Sequence, residues 1–166
     1  MASGNATKPS DTEVLKAAMD NADGIDFEII ELLFFAYRDF ISDPDAILGE
    51  YGFGRAHHRV LHFVNRQPGL TVAALLDTLK ITKQSLARVL KQLVESGDIH
   101  QMTGPEDRRQ RKLYPTRKGR QLALALARPQ SRRIAKSLSA LESDKRTAVI
   151  KFLSGLIDPE KPSEDS

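Results

Sequence analysis

Between Thr82 and Gly97 the sequence marks out a helix and both of its ends, and no other stretch limits the fold as tightly. Thr82 is a residue type that caps a helix N-terminus through its hydroxyl. Leu86, Val89, Leu90, Leu93 and Val94 then fall at i, i+3, i+4, i+7 and i+8, one apolar stripe along a helix. Glu95-Ser96-Gly97 ends it, with glycine at the place of a left-handed cap. Opposite the stripe stand Lys83, Gln84, Ser85, Arg88, Lys91 and Gln92. Just upstream, Leu70-Thr71 opens another helix, with Thr71 as its cap and Val72, Leu75, Leu76 and Leu79 apolar. Only Lys80-Ile81 separates the two, so they read as a helix-turn-helix.

The second helix of such a pair commonly enters the major groove. Its outward set suits that task, because Gln and Arg bond base edges bidentately while Ser, Thr and Lys reach phosphates. After Gly97 a short strand, Ile99 to Met102, leads into a loop from Thr103 to Gln110 and a return strand, Lys112 to Tyr114. Arg108, Arg109 and Arg111 gather at the hairpin tip, where arginine can follow a phosphate backbone or enter a narrow minor groove. Asp107 would repel phosphate there, and a role for it is to hold a neighbouring arginine. The charge distribution agrees with a polyanionic partner. Residues 80–120 hold eleven basic and four acidic side chains, residues 1–50 three basic and eleven acidic.

The remaining chain is read more coarsely. Residues 1–23 are polar and expected to be a disordered tail, as are residues 159–166. Ile25 to Ile41 is a helix with Ile30, Leu33, Phe34, Tyr37 and Ile41 on one face, and Ser42-Asp43-Pro44-Asp45 is expected to end it. A helix from Arg55 to Asn65 contributes Val60, Leu61, Phe63 and Val64 to a core. Its His58 and His62 lie one turn apart, a spacing that metal could use. Without cysteine or a carboxylate motif beside them, packing or surface roles are expected, and no metal or cofactor. A helix from Arg117 should kink or end at Arg128-Pro129. A last one beginning at Ser143 carries Val149, Ile150, Leu153, Leu156 and Ile157. The terminal helices hold more apolar surface than a small core can cover, which points to pairing with a second copy.

Several functions are excluded or unsupported. With no cysteine there is no disulfide, thiolate nucleophile or thiol redox chemistry. No apolar run approaches the roughly 20 residues that cross a bilayer, and no signal peptide opens the chain, so a cytoplasmic location without membrane contact is expected. Asp45, His57, His58 and His62 form no recognisable catalytic constellation, and G-x-S-x-G, H-E-x-x-H and Gly-Lys phosphate loops are missing. An enzyme is therefore not expected. A winged-helix module for protein contact is the alternative to DNA binding.

These residues resemble the MarR family of winged helix-turn-helix regulators. The signs are Leu70-Thr71, the helix from Thr82 to Leu93, the Glu95-Ser96-Gly97 turn, Asp107-Arg108-Arg109 in the wing and Thr116-Arg117-Lys118-Gly119 opening the next helix. The resemblance implies a mainly α fold with a small β-hairpin wing, and a homodimer that binds a pseudo-palindromic duplex as a ligand-responsive repressor. Asp107 would anchor the wing and Arg109 enter the minor groove, while a small aromatic ligand would bind near Tyr37, His58, His62 and Phe63. Residues 24–54 would be the N-terminal dimerisation helix and connection, 55–119 the DNA-binding domain and 120–158 the C-terminal dimerisation helices. Pro115 replaces the family's usual leucine, so the second wing strand is expected to end early.

Overall fold

The computed structural model describes residues 24–103, 110–141 and 145–159. In order, the elements are α1 (Phe27–Glu50), α2 (Arg55–Arg66), β1 (Leu70–Thr71), α3 (Val72–Leu79), α4 (Lys83–Glu95), β2 (Ile99–Thr103), β3 (Arg111–Pro115), α5 (Arg117–Ser139) and α6 (Lys145–Gly155). The fold is mainly helical with a small antiparallel sheet, as the sequence leads one to expect. The expected tails, at 1–23 and beyond Pro159, and the helix start at Ser143 lie outside the described residues.

The described residues up to Asp39 and those from Phe40 onward belong to two compact units. In the first, the Asp26 carboxylate caps α1 by accepting the Ile29 N–H at 2.9 Å. Arg38 pairs with Asp39 at 2.8 Å and lies 5.1 Å above the Phe35 ring. Ile29, Ile30, Leu32, Phe34 and Tyr37 are exposed in the single chain.

Within the second unit α1 does not stop at Ser42-Asp43-Pro44-Asp45 but continues through Pro44 to Glu50. Proline has no N–H, so the Phe40 carbonyl four residues earlier loses its helical donor. The Gln130 side-chain amide donates to that carbonyl at 3.4 Å, and Pro44 itself is buried. Likewise α5 does not end at Arg128-Pro129 but runs on, with Pro129 inside it, to Ser139. Gln130 and Arg133, which reaches Asp43 at 3.3 Å, hold the residues just past Pro129 against α1.

The core is formed by the end of α1, by α2, α3 and α4, the sheet and the start of α5. Leu48, Val60, Leu61, Val64, Leu75, Leu93, Leu113 and Leu126 are fully buried. Each such side chain stabilises the fold by roughly 1.5–3 kcal/mol relative to exposure. Val94, expected inside, is exposed because it stands at the margin of the stripe, where the helical twist has carried it out of the core. Leu124 is exposed too, two residues from each of the buried Leu122 and Leu126. Ile134, Ile150, Leu153, Leu156 and Ile157 are also exposed, the last two beyond the end of α6.

The sheet order is β1-β3-β2, so Leu70-Thr71, expected only to open a helix, also adds a third strand to the wing hairpin. Leu70 pairs with Leu113 and Thr71 with Lys112, while β2 and β3 pair from Ile99↔Pro115 to Thr103↔Arg111. Pro115 therefore does not shorten the strand. The Thr116 N–H bonds the Asp98 carbonyl at 3.0 Å, so the missing N–H of Pro115 faces away from β2. On that side β1 has already ended.

Candidate nucleic-acid interface

Hydroxyl caps set the start of each helix in the pair. Thr71 Oγ1 accepts the Ala74 N–H at 3.1 Å, and Thr82 Oγ1 accepts the Ser85 N–H at 3.1 Å. The Thr82 hydroxyl also donates to Ser85 Oγ at 2.9 Å, so this one group stiffens the whole first turn of α4. Between the helices Lys80 takes a left-handed conformation, φ 50°, and its N–H closes on the Leu76 carbonyl. The Arg59 guanidinium donates to the Leu79 carbonyl at 2.8 Å, filling another open acceptor at the end of α3.

The far end of α4 is fixed more elaborately. Gly97, φ 75°, donates to the Val94 carbonyl and Asp98 to the Leu93 carbonyl at 2.9 Å, which is a Schellman closure. Thr116, the cap of α5, accepts the Gly119 N–H at 3.0 Å and donates to the Gly97 carbonyl at 2.7 Å. Lys118 Nζ donates to the Ser96 carbonyl at 2.6 Å and stands 3.6 Å from Asp98 Oδ2. Ser96 Oγ donates to that same carboxylate oxygen at 2.6 Å. Asp98 is wholly buried, and its Oδ1 has no hydrogen-bond partner among the described residues. Asp98 did not stand out in the sequence, and Lys118 did so only within the Thr116-Gly119 motif, because their roles depend on the α4 turn meeting the start of α5.

Anchored at both ends, α4 buries Leu86, Val89, Leu90 and Leu93 and leaves Lys83, Gln84, Arg88 and Lys91 exposed, with Ser85 half-buried. Lys91 is 3.8 Å from Glu95, an exposed pair worth little to stability. Gln92, grouped with the outward set in the sequence, is exposed and also tied to α2: its Oε1 lies 2.8 Å from His57 Nε2. Arg111 is not a loop residue but the first residue of β3, paired with Thr103. It shares its strand face with the buried Leu113, and with Gln101 it lines a cleft of about 400 Å³ beside Ala87 and Leu90 of α4. Asp107, Arg108 and Arg109 lie outside the described residues.

Of the residues expected near a ligand, Tyr37 is exposed on α1 within the first unit. On α2, His58 and Phe63 are half-buried and His62 is exposed, edge-on to Phe63 at 5.2 Å. Burial holds the His58 pKa below the usual histidine value, helped by His62 and opposed by Asp45. That of His62 is lowered by burial and then by Arg66. A groove of about 750 Å³ between α1 and α5, lined by Arg128, Arg132, Arg133 and Lys136 among others, includes none of these four. Among the described residues no three His, Asp or Glu side chains come together as a metal site. Nor is any helix there long and apolar enough to cross a membrane.

A capped helix pair followed by a β-hairpin packed on its second member defines a winged helix-turn-helix protein. Comparison with known proteins narrows the class. A family model described as the MarR family matches residues 51–110. The HTH-type transcriptional regulator PetP of Rhodobacter capsulatus is 43% identical over 130 residues, 78% of each chain. The crystal structure of MarR covers 82% of this chain and 90% of its own, with a TM-score of 0.62 and 25% identity. That of Streptococcus pneumoniae FabT in complex with DNA covers 78% and 92%, with a TM-score of 0.69. At 19% identity this second likeness is one of fold. The chain belongs to the MarR family and is a transcriptional regulator.

Proposed function

We propose that this regulator binds double-stranded DNA sequence-specifically, as a homodimer on a pseudo-palindromic operator, and represses until a small aromatic ligand releases it. The observation that carries DNA binding is the outer face of α4. Lys83, Gln84, Arg88 and Lys91 stand exposed in sequence, and the single acid of the helix, Glu95, is at its far end. Gln84 and Arg88 bond base edges, while Thr82, Lys83, Ser85 and Lys91 hold phosphates. Arg108 and Arg111 support the flank, with Arg109 reaching the minor groove and Asp107 anchoring the wing. Residues 55–119 form the DNA-binding domain. The exposed apolar surfaces of 24–54 and 120–158 meet those of a second copy. His58, His62 and Phe63 are the α2 residues assigned to the ligand.

The test is selection of duplexes from random sequence by the purified protein, followed by a salt titration. Two half-sites about 10 bp apart are expected, with log affinity falling linearly in log salt. Light scattering reads the dimer. Absence of binding to any duplex at low salt would sink the proposal.

A further inference from the structure

We infer that His57 is a positioning residue for the DNA-binding surface: it holds the Gln92 amide with its NH2 group turned outward, as a donor to a phosphate oxygen. This rests on the DNA-binding reading above. Gly54 precedes α2, and its backbone N–H points at His57 Nδ1 from 3.1 Å. A backbone N–H can only donate, so Nδ1 carries no proton, and in the neutral ring the proton sits on Nε2. That N–H lies 2.8 Å from Gln92 and requires an acceptor, so the amide oxygen faces the ring. The orientation thus follows from the backbone donor rather than from telling oxygen and nitrogen apart. His57 is 8% exposed and stacks on Phe53 with centroids 4.6 Å apart and rings 8° from parallel, which keeps the imidazole from swinging away.

Gln92 lies one turn beyond Arg88 on α4 and is exposed, so with its oxygen on the imidazole the NH2 group is the end of the amide left for an outside partner. Bidentate reading of adenine needs both the oxygen and the NH2. With the oxygen engaged, the side chain fits an acceptor-only partner. Gln92 therefore fixes the register of α4 on the backbone and reads no base.

The test uses the full-length protein, anisotropy titrations across salt, and the duplex that the parent selects. Gln92→Ala is expected to weaken binding about tenfold or somewhat more, the low end of the range for a hydrogen bond to a charged acceptor. The salt slope should stay unchanged, since an amide releases no counterion. His57→Gln keeps a donor near the Nε2 position and should bind within about twofold of the parent. His57→Asn keeps the acceptor for Gly54 but falls short of Gln92, and should match Gln92→Ala while costing nothing further in the Gln92→Ala background. Parent-like binding by Gln92→Ala overturns the inference. So does the reverse ranking of the two His57 variants, which would assign the residue to capping α2 alone. Gln92 is exposed, so its variant decides the matter even where a His57 variant melts early. Failure of the parent to bind any duplex at low salt needs no variant to detect and removes the DNA-binding reading itself.

Discussion

Replacing Gly119 with alanine tests the idea that the recognition helix is held from behind. A Cβ built on Gly119 falls 1.9 Å from the Asp98 carbonyl oxygen and 2.7 Å from its carbon, against about 3.4 Å for ordinary contact. The start of α5 and the turn after α4 would have to part by about 1.5 Å. The Thr116 N–H and hydroxyl lie 3.0 and 3.2 Å from that oxygen, and such a shift takes both beyond bonding range. Stranding the buried carbonyl costs about 1–3 kcal/mol. Overpacking adds roughly 1–3 kcal/mol, and alanine's better helix propensity returns about 1 kcal/mol. The net loss centres near 3 kcal/mol, which for a chain of this size lowers Tm by about 6–12 °C. Thermal melts followed by circular dichroism measure this. Gly49→Ala is the control: it is helical, has open space at its Cβ position and should gain up to about 1 kcal/mol. A Gly119→Ala melt within 2 °C of the parent, or above it, refutes the reasoning.

Other expectations are simpler. Thr82→Ala removes the bond to the Ser85 N–H and the hydroxyl pair, lowering stability by about 1 kcal/mol in urea unfolding, whereas Thr82→Ser leaves it nearly unchanged. Arg88→Ala should broaden the set of duplexes recovered by repeated selection, since a base-reading arginine is worth about 1–3 kcal/mol of discrimination. Burial lowers the pKa of both His58 and His62, so as pH falls through the unfolded value of 6.5 the unfolded chain takes up protons that the folded chain refuses. Stability should be full above that value and decline below it, and His58→Gln should flatten the Tm-against-pH curve. His62→Gln should raise the His58 pKa in an NMR titration by removing a repelling neighbour.

What the sequence disclosed was local. The stripe from Leu86 to Leu93, the caps at Thr71 and Thr82 and the glycine stop at Gly97 depend on residues within a few positions of one another, and the structure forms each of them. What it concealed joins distant segments. The inclination of His57 toward Gln92, 35 residues away, and of Gln130 toward Phe40, 90 away, leaves no trace in periodicity. Pro44, Pro115 and, as an expected helix end, Pro129 misled for the same reason. Each removes one local donor, and whether that ends an element depends on what packs nearby. Thr116-Arg117-Lys118-Gly119 marked a family resemblance before its physics was visible. Thr116 serves as cap and cross-link together, and Gly119 leaves room for the Asp98 carbonyl.

The bond from Gln130 to the Phe40 carbonyl restricts how the two helices can move. Proline at 44 leaves a single acceptor at one height on α1, and one side chain of α5 answers it. Helices that meet only through apolar ridges can slip by a whole turn and find an equivalent fit. Here a slip of one turn would leave the carbonyl unanswered and also part Arg133 from Asp43. The joint between the Phe40–Glu50 segment and α5 is thereby keyed in register. A ratchet of one helix past the other would give up both contacts at once.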